Sequence, residues 1–360
     1  MTTRGLLVTS LLGAASFVFA ADENPIKVTG TVDVYYLRDF NEGPGDANLR
    51  FLDTRKNKLT LNTALAKIRY TPKKTPFSAS VDLGVGKMQD LTNASEPGGT
   101  DRYKVFQQAF VSYAGKAVNV DFGKFVTWVG YENLEPSENA NYSHGFLSNL
   151  GVPTYHFGLR AGFKANDMDL TAAIVRGWNE VEDSNGQLSY GLQAKKNLSD
   201  KTTVTANFMG GGEGKNGQTA GIAFADGLKR DTYTYDVILT HKLDDTTDLA
   251  FEGLYGNALG KGGNPSAKWT GVSGWVSKKF NDKMTGALRI ESFNDSDGQR
   301  TGTAQNLTSV TLTAGYKLSP NSHFRLELRG DRSNQSVFTK ENAANTKNRS
   351  TLSGAYILKF

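Results

Sequence analysis

The chain carries four histidines, His144, His156, His241 and His323, and no cysteine. The histidines are too scattered to form a metal-binding pair at helical spacing. Without thiols there is no thiolate metal site, no cysteine nucleophile and no disulfide framework. Ser143 and His144 are adjacent, so on an extended strand they point to opposite sides and cannot act as nucleophile and base. The run Met209-Gly210-Gly211-Gly212-Glu213-Gly214-Lys215-Asn216 lacks the leading glycine and the trailing Ser/Thr of a phosphate loop, and reads as loop glycine. Asp295-Ser296-Asp297-Gly298 has the look of a calcium loop. Phe293 and Ala304 stand where its end ligands belong, which leaves a loose surface cation contact at most. These residues point away from an enzyme and from any resident metal or cofactor.

What remains is charge and its placement. Glu132, Glu135, Glu138 and His144 lie in one long stretch rich in Asn, Ser and Gly, from Val129 to Pro153. Arg160, Arg289, Arg325 and Arg329 fall on the polar face of alternating segments, as do His156, Asp33, Asp82, Asp236, Glu252, Glu291 and Glu327. Carboxylates facing an arginine wall across water would set a transverse field that sorts solutes by charge and size. The plainer reading is that Glu327 and Arg325 or Arg329 neutralise one another. No unbroken Lys/Arg ladder is visible, so strong anion selectivity is not indicated by the sequence.

The elements that must position these groups are strands. Ile26, Val28, Gly30, Val32, Val34 and Tyr36 share one face, with Lys27, Thr29, Thr31, Asp33 and Tyr35 on the other. Such alternation recurs in sixteen segments, beginning near residues 26, 57, 77, 103, 118, 154, 167, 187, 202, 231, 247, 268, 283, 307, 322 and 350. Two lose phase, near 57–70 and near 118–130, where Lys124 lands on the apolar face; a bulge in each would restore it. Seven short turns alternate with eight long polar connections, the pattern of antiparallel strands whose two chain ends share the short-turn side.

Alternation alone fits a sandwich or a membrane barrel. A sandwich of this length would divide into domains joined by linkers, and no linker is evident. Segments of about ten residues with short and long connections in turn fit tilted strands crossing hydrocarbon. Aromatics also gather near strand ends (Tyr70, Phe77, Tyr113, Trp128, Tyr155, Phe280, Tyr316, Phe324), as a headgroup girdle requires. An open sheet edge in lipid would leave peptide groups unsatisfied, so the sheet must close. The expected fold is all-β: a closed antiparallel transmembrane barrel of about sixteen strands, with fourteen or eighteen as the neighbouring counts and an aqueous interior.

Arg4, an apolar run from Gly5 to Phe19 and Val18-Phe19-Ala20 read as a signal peptide cut after Ala20, leaving 21–360 as one barrel domain. The net charge of +5 comes without a polybasic run, which is not the footprint of a nucleic-acid binder. Beyond the first 20 residues no apolar stretch is long enough for a spanning helix.

Gly30-Thr31-Val32-Asp33-Val34-Tyr35-Tyr36 resembles the opening strand of the OmpL-like β-barrel porins of the porin-2 family. Glu138-Asn139-Ala140-Asn141-Tyr142-Ser143 followed by Pro153-Thr154-Tyr155-His156-Phe157-Gly158-Leu159-Arg160 resembles that family's third loop and following strand, and Gly177-Trp178-Asn179 also fits. His144 stands where the family pattern has Arg. Tyr356 and terminal Phe360 resemble the C-terminal assembly signal of bacterial outer-membrane barrels. The resemblance implies an outer-membrane porin passing small hydrophilic solutes or ions passively, with residues 129–153 folded inward as its third loop. Pore and selectivity candidates are Glu132, Glu135, Glu138, His144, His156, Arg160, Arg289, Arg325 and Arg329. Implied partners are outer-membrane lipid and lipopolysaccharide, the barrel-assembly machinery and further copies in a homotrimer. The alternative expectation is a structural or adhesive barrel with a plugged lumen and functional surface loops.

Overall fold

Strict alternation gives each strand one oily and one wet face, and the chain satisfies both by rolling the sheet into a cylinder. The computed structural model describes residues 24–94, 96, 100–213, 230–260 and 265–360; the expected leader and its cleavage after Ala20 lie outside these residues. The strands are β1 (Ile26–Asp39), β2 (Leu59–Tyr70), β3 (Phe77–Val85), β4 (Phe106–Ala114), β5 (Val118–Val126), β6 (Tyr155–Ala165), β7 (Met168–Val175) and β8 (Ser189–Asn197). They continue as β9 (Thr202–Glu213), β10 (Arg230–Lys242), β11 (Thr247–Gly260), β12 (Ala267–Lys279), β13 (Met284–Asp295), β14 (Gln305–Ser319), β15 (Ser322–Ser333) and β16 (Asn348–Lys359). Each pairs antiparallel with the next, and β16 pairs with β1, closing a sixteen-strand barrel. A small ribbon, Phe338–Thr339 with Asn345–Thr346, decorates the connection before β16.

The short turns repeat one geometry because they repeat one sequence theme. Leu198 N–H donates to Thr202 O at 2.8 Å, Leu243 to Thr247 and Phe280 to Met284 each at 2.9 Å. Ser199, Asp244 and Asn281 cap the following amides with their side-chain oxygens. Outside the cylinder, Leu, Val, Ile and Phe stand exposed, as hydrocarbon demands. Tyr70, Phe77, Tyr113, Phe280, Tyr316 and Phe324 are among them, but Tyr155 is fully buried and Trp128 is partly buried against inner-wall residues, so these two do not belong to a girdle.

The loss of phase near 57–70 is a bulge. Asp33 pairs with Thr63 and Val34 with Leu61, leaving Asn62 unpaired, so that both Asn62 and Thr63 are buried and the alternation restarts one residue later. The second expected bulge is absent: β5 pairs with β4 and β6 without a register shift. Lys124 instead keeps its parity, and the connection between β3 and β4 buries it, with Nζ 2.6 Å from Asn93 Oδ1 and over the Tyr155 ring. The glycine run is also reassigned. Met209–Glu213 closes β9, and Gly214–Asn216 lie outside the described residues.

At the seam, Gly30 N–H donates to Phe360 O at 2.7 Å and Phe360 N–H to Gly30 O at 3.0 Å, completing the ladder between the first strand and the last residue. The Phe360 ring lies over Gly30, where a Cβ would collide with it and with the Leu65 carbonyl, so glycine is required at that position.

Candidate functional site

The long connection from β5 to β6 is gripped by its backbone. Alternation on β10, β11, β13 and β15 sends Asp236, Glu252, Glu291 and Glu327 inward, and each accepts main-chain N–H groups of this third loop. Asp236 takes Gly130 at 3.2 Å, Glu252 takes Tyr131 at 3.3 Å, and Glu291 takes Phe146 at 2.6 Å. Glu327 takes both Tyr142, at 2.6 Å, and Ser143, at 3.1 Å. Arginines of the same wall take the carbonyls: Arg289 donates to Ser143 O and Arg329 to His144 O, both at 2.6 Å, and Arg325 to Pro136 O at 2.8 Å. Peptide groups drawn away from water must find partners, and charged partners make each bond stronger than a neutral one.

Side chains tie the loop to the rest of the wall. Glu132 meets Arg289 at 2.5 Å with both side chains buried, and also accepts Gly145 N–H at 2.7 Å. Burial by itself raises the Glu132 carboxyl; Arg289, His144 and the Gly145 amide outweigh burial and hold it below its ordinary value. Glu135 pairs with Lys67 at 2.6 Å and accepts from Gln107 at 3.2 Å. Glu138 pairs with Lys359 at 2.6 Å, and that ammonium holds its carboxyl below the usual range. Tyr142 donates to Asp33 at 3.1 Å, and burial followed by the charge of Asp33 pushes the phenol well up, so it stays a donor. The loop thus touches strands from β1 round to β16. A five-residue π turn, Leu147–Gly151, then returns the chain across β11 and β12.

The structure therefore divides the nine candidate residues. Glu132, His144, Arg289 and Arg329 meet in one buried cluster, with His144 Nε2 2.8 Å from Asn133 O and its ring edge-on to Phe51. His156 sits at the loop's stem, fully buried between Thr127 Oγ1 and Gly177 O, each at 3.1 Å. Glu138, on the loop, and Arg325, on β15, face the short-turn side, and Glu135 reaches across to Lys67 of β2. Arg160 stands apart on β6, paired with Asp121 at 2.7 Å and over the Phe125 ring. The expected neutralisation of Glu327 by Arg325 or Arg329 is not made by hydrogen bonding. Glu327 spends its oxygens on the loop and Thr313, and Arg329 turns to Asp331 at 2.6 Å.

Several residues of the cluster have no counterpart among the candidates. Arg50 pairs with Asp53 at 3.1 Å in the first loop, beside Asp331, which also holds Arg349 at 2.8 Å. Burial, and then neighbouring Arg329, depress the Arg50 guanidinium to about 10. Arg300 packs against the edge-on pair of Trp178 and Trp269, at 5.2 and 5.0 Å from the two rings. Strand parity marks Asp331 and Arg349 as inward; Arg50, Trp178 and Arg300 sit in irregular loops where parity gives no signal. The calcium-like segment acts as a turn, with Asp295 accepting the Arg300 and Thr301 amides at 2.9 and 2.8 Å. Among the described residues no cluster of three or more His, Asp or Glu side chains could hold a metal ion. Ser143 and His144 do not engage each other, since the hydroxyl faces Arg329 and the imidazole faces Asn133.

A closed cylinder of sixteen antiparallel strands, oily outside and charged inside, with a loop docked on its inner wall, defines the porin class of outer-membrane barrels. The chain belongs to the family "Putative beta-barrel porin-2, OmpL-like", whose model matches residues 25–360. Its fold is similar to that of the anion-selective porin from Comamonas acidovorans, with TM-score 0.65 and 11% identity over 93% of this chain and 99% of that one. It is also similar to the outer membrane channel DcaP of Acinetobacter baumannii, with TM-score 0.62 and 11% identity over 92% of this chain and 97% of that one. The trimer form of OmpT, an outer membrane protein of Vibrio cholerae, matches with TM-score 0.59 and 13% identity over 94% of this chain and all of that one. No curated protein matches the chain in sequence.

Proposed function

We propose that this porin passes small hydrophilic solutes passively across the outer membrane, and that its third loop narrows the passage. The observation that carries the proposal is the backbone grip: wall carboxylates on four strands and three wall arginines seize the loop's peptide groups inside the cylinder. A sixteen-strand barrel is wide enough for an aqueous channel, and a loop laid across it reduces the cross-section. On this reading Glu132, Arg289, Arg325 and Arg329 are anchors of the loop, and the solute meets the loop's free surface and the opposite wall. The fold is that of a trimer-forming neighbour, which supports a homotrimer here. The segment ending at Ala20 is read as the leader that exports the chain.

A second reading, a plugged barrel with functional outer loops, draws on the further loops that close in over the third: Arg50 of the first, and Arg300, which packs against Trp178 and Trp269 and donates to Leu150 O. Planar-bilayer recording of the purified mature protein separates the two. A channel gives discrete conductance steps that grow when residues 133–141 are excised; a plugged barrel gives none until the loop is removed.

A further inference from the structure

The half of the inner wall nearest the short turns is unevenly charged, and this has a consequence for what the channel admits. On β1 and β2, Lys27 faces Arg69 across the ladder, with Lys67 two residues along. The carboxylate partners of the latter two are set back from water. Arg69 is 33% exposed against 1% for Asp82, and Lys67 is 22% exposed against 10% for Glu135. Between β6 and β8, a single acid, Asp169, stands in register with two lysines, Lys164 and Lys195. On β14 and β15, Lys317 faces His323, and neither has a carboxylate across the ladder. Arg325 spends its guanidinium on the carbonyls of Pro136, Asn141 and Ser137 rather than on a carboxylate.

Balanced pairs are present as well: Lys242 opposite Asp248, Arg160 with Asp121, and Lys359 with Glu138. The turns themselves carry both signs, Lys73, Lys74 and Lys116 against Asp200, Asp244 and Asp245. Of the other inward carboxylates, Asp236, Glu252, Glu291, Glu327 and Asp331 are buried and directed at loop amides or at arginines, and Asp33 is buried and accepts from Asn62 and the Tyr142 hydroxyl. Water that reaches the loop from the short-turn side therefore meets cations in excess. Charge on a low-dielectric wall focuses into the lumen and raises the local concentration of the opposite ion.

We propose that the channel prefers small anions, and that a collar of exposed cations on the short-turn side of the third loop, with Lys27, Lys195 and Lys317 as members, sets that preference. This rests on the barrel being an open channel. The class of solute is a small hydrated anion such as chloride or inorganic phosphate, attracted by field rather than held at a dedicated site.

The test is the reversal potential of single channels in a potassium chloride gradient. It compares the wild-type protein with the triple variants Lys27→Gln/Lys195→Gln/Lys317→Gln and Lys27→Glu/Lys195→Glu/Lys317→Glu, each first checked for heat-modifiable migration. The wild type is expected to pass chloride over potassium. The neutral variant should weaken that ratio, and the reversed variant should lower it by at least about threefold, a local change on the order of one kT. Open channels that prefer potassium or neither ion, or a chloride preference unchanged in both variants, would overturn the collar while leaving the porin reading standing. Absence of any conductance steps in the wild type would overturn both.

Discussion

Replacing Glu327 by Gln should loosen the third loop while leaving the barrel closed. The carboxylate is 2% exposed and accepts two loop amides, from Tyr142 at 2.6 Å and Ser143 at 3.1 Å, besides the Thr313 hydroxyl at 2.7 Å. A hydrogen bond to a charged partner contributes roughly 1.5–3 kcal/mol, so the two amide bonds together are worth about 3–6 kcal/mol before any coupling between them. Glutamine keeps one carbonyl oxygen but presents its NH2 where the second amide points. About half of that is lost, a shift of roughly 10- to 150-fold towards the released loop at 1.4 kcal/mol per tenfold. Burial removes the solvent screening that would otherwise discount the figure. The ladder of β15 is untouched, so heat-modifiable migration should be normal. Single-channel records should show a larger conductance state that is rare in the wild type, and limited proteolysis should cut within residues 133–141. If Glu327→Gln and Glu327→Ala both keep the wild-type conductance histogram and protease resistance, the backbone grip does not hold the loop.

Gly30→Val places a branched side chain where the Phe360 ring and the Leu65 carbonyl already lie, and should lower the yield of folded, heat-modifiable barrel severely, with Gly30→Ala intermediate. The Glu132–Arg289 pair makes a prediction about acid. Because the folded carboxyl lies below its ordinary value of 4.5, the pair's contribution is complete above that pH and is lost only as pH falls through the lower folded value. Conductance of the wild type should therefore owe no change to this pair between neutrality and pH 4.5, and Glu132→Gln should already behave at neutral pH as the acidified wild type does. A wild-type transition centred well above pH 4.5 that Glu132→Gln abolishes would contradict the assignment.

The barrel was legible because lipid on one side and water on the other write a period of two into the strands they face. The segment starts read at 26, 77, 118, 202, 247 and 322 coincide with the observed ones, and the broken phase before Tyr70 correctly marks the bulge at Asn62. Lys124 broke the same rule for a different reason: a neighbouring connection covers it, and no local pattern announces cover that comes from thirty residues away. Trp128 and Tyr155 misled in a related way, since an aromatic at a strand end suits a headgroup layer and a loop stem equally well. Inward charge was read from parity, so Arg289, Arg325, Arg329 and their carboxylate neighbours were found. Their task was not legible, because their partners are N–H and C=O groups that every residue carries.

That grip on peptide groups has an evolutionary corollary. A wall that recognises the main chain sets few terms for the side chains hung upon it, so within residues 133–141 the positions other than Glu135, Glu138, Asn139 and Asn141, whose side chains bind the wall or brace the loop, can be rewritten, in size or polarity, without undoing the dock. One scaffold can then acquire new filters by substitution in a single short stretch, and descendants with unlike diets would be expected to differ there first while the cylinder that carries them stays the same.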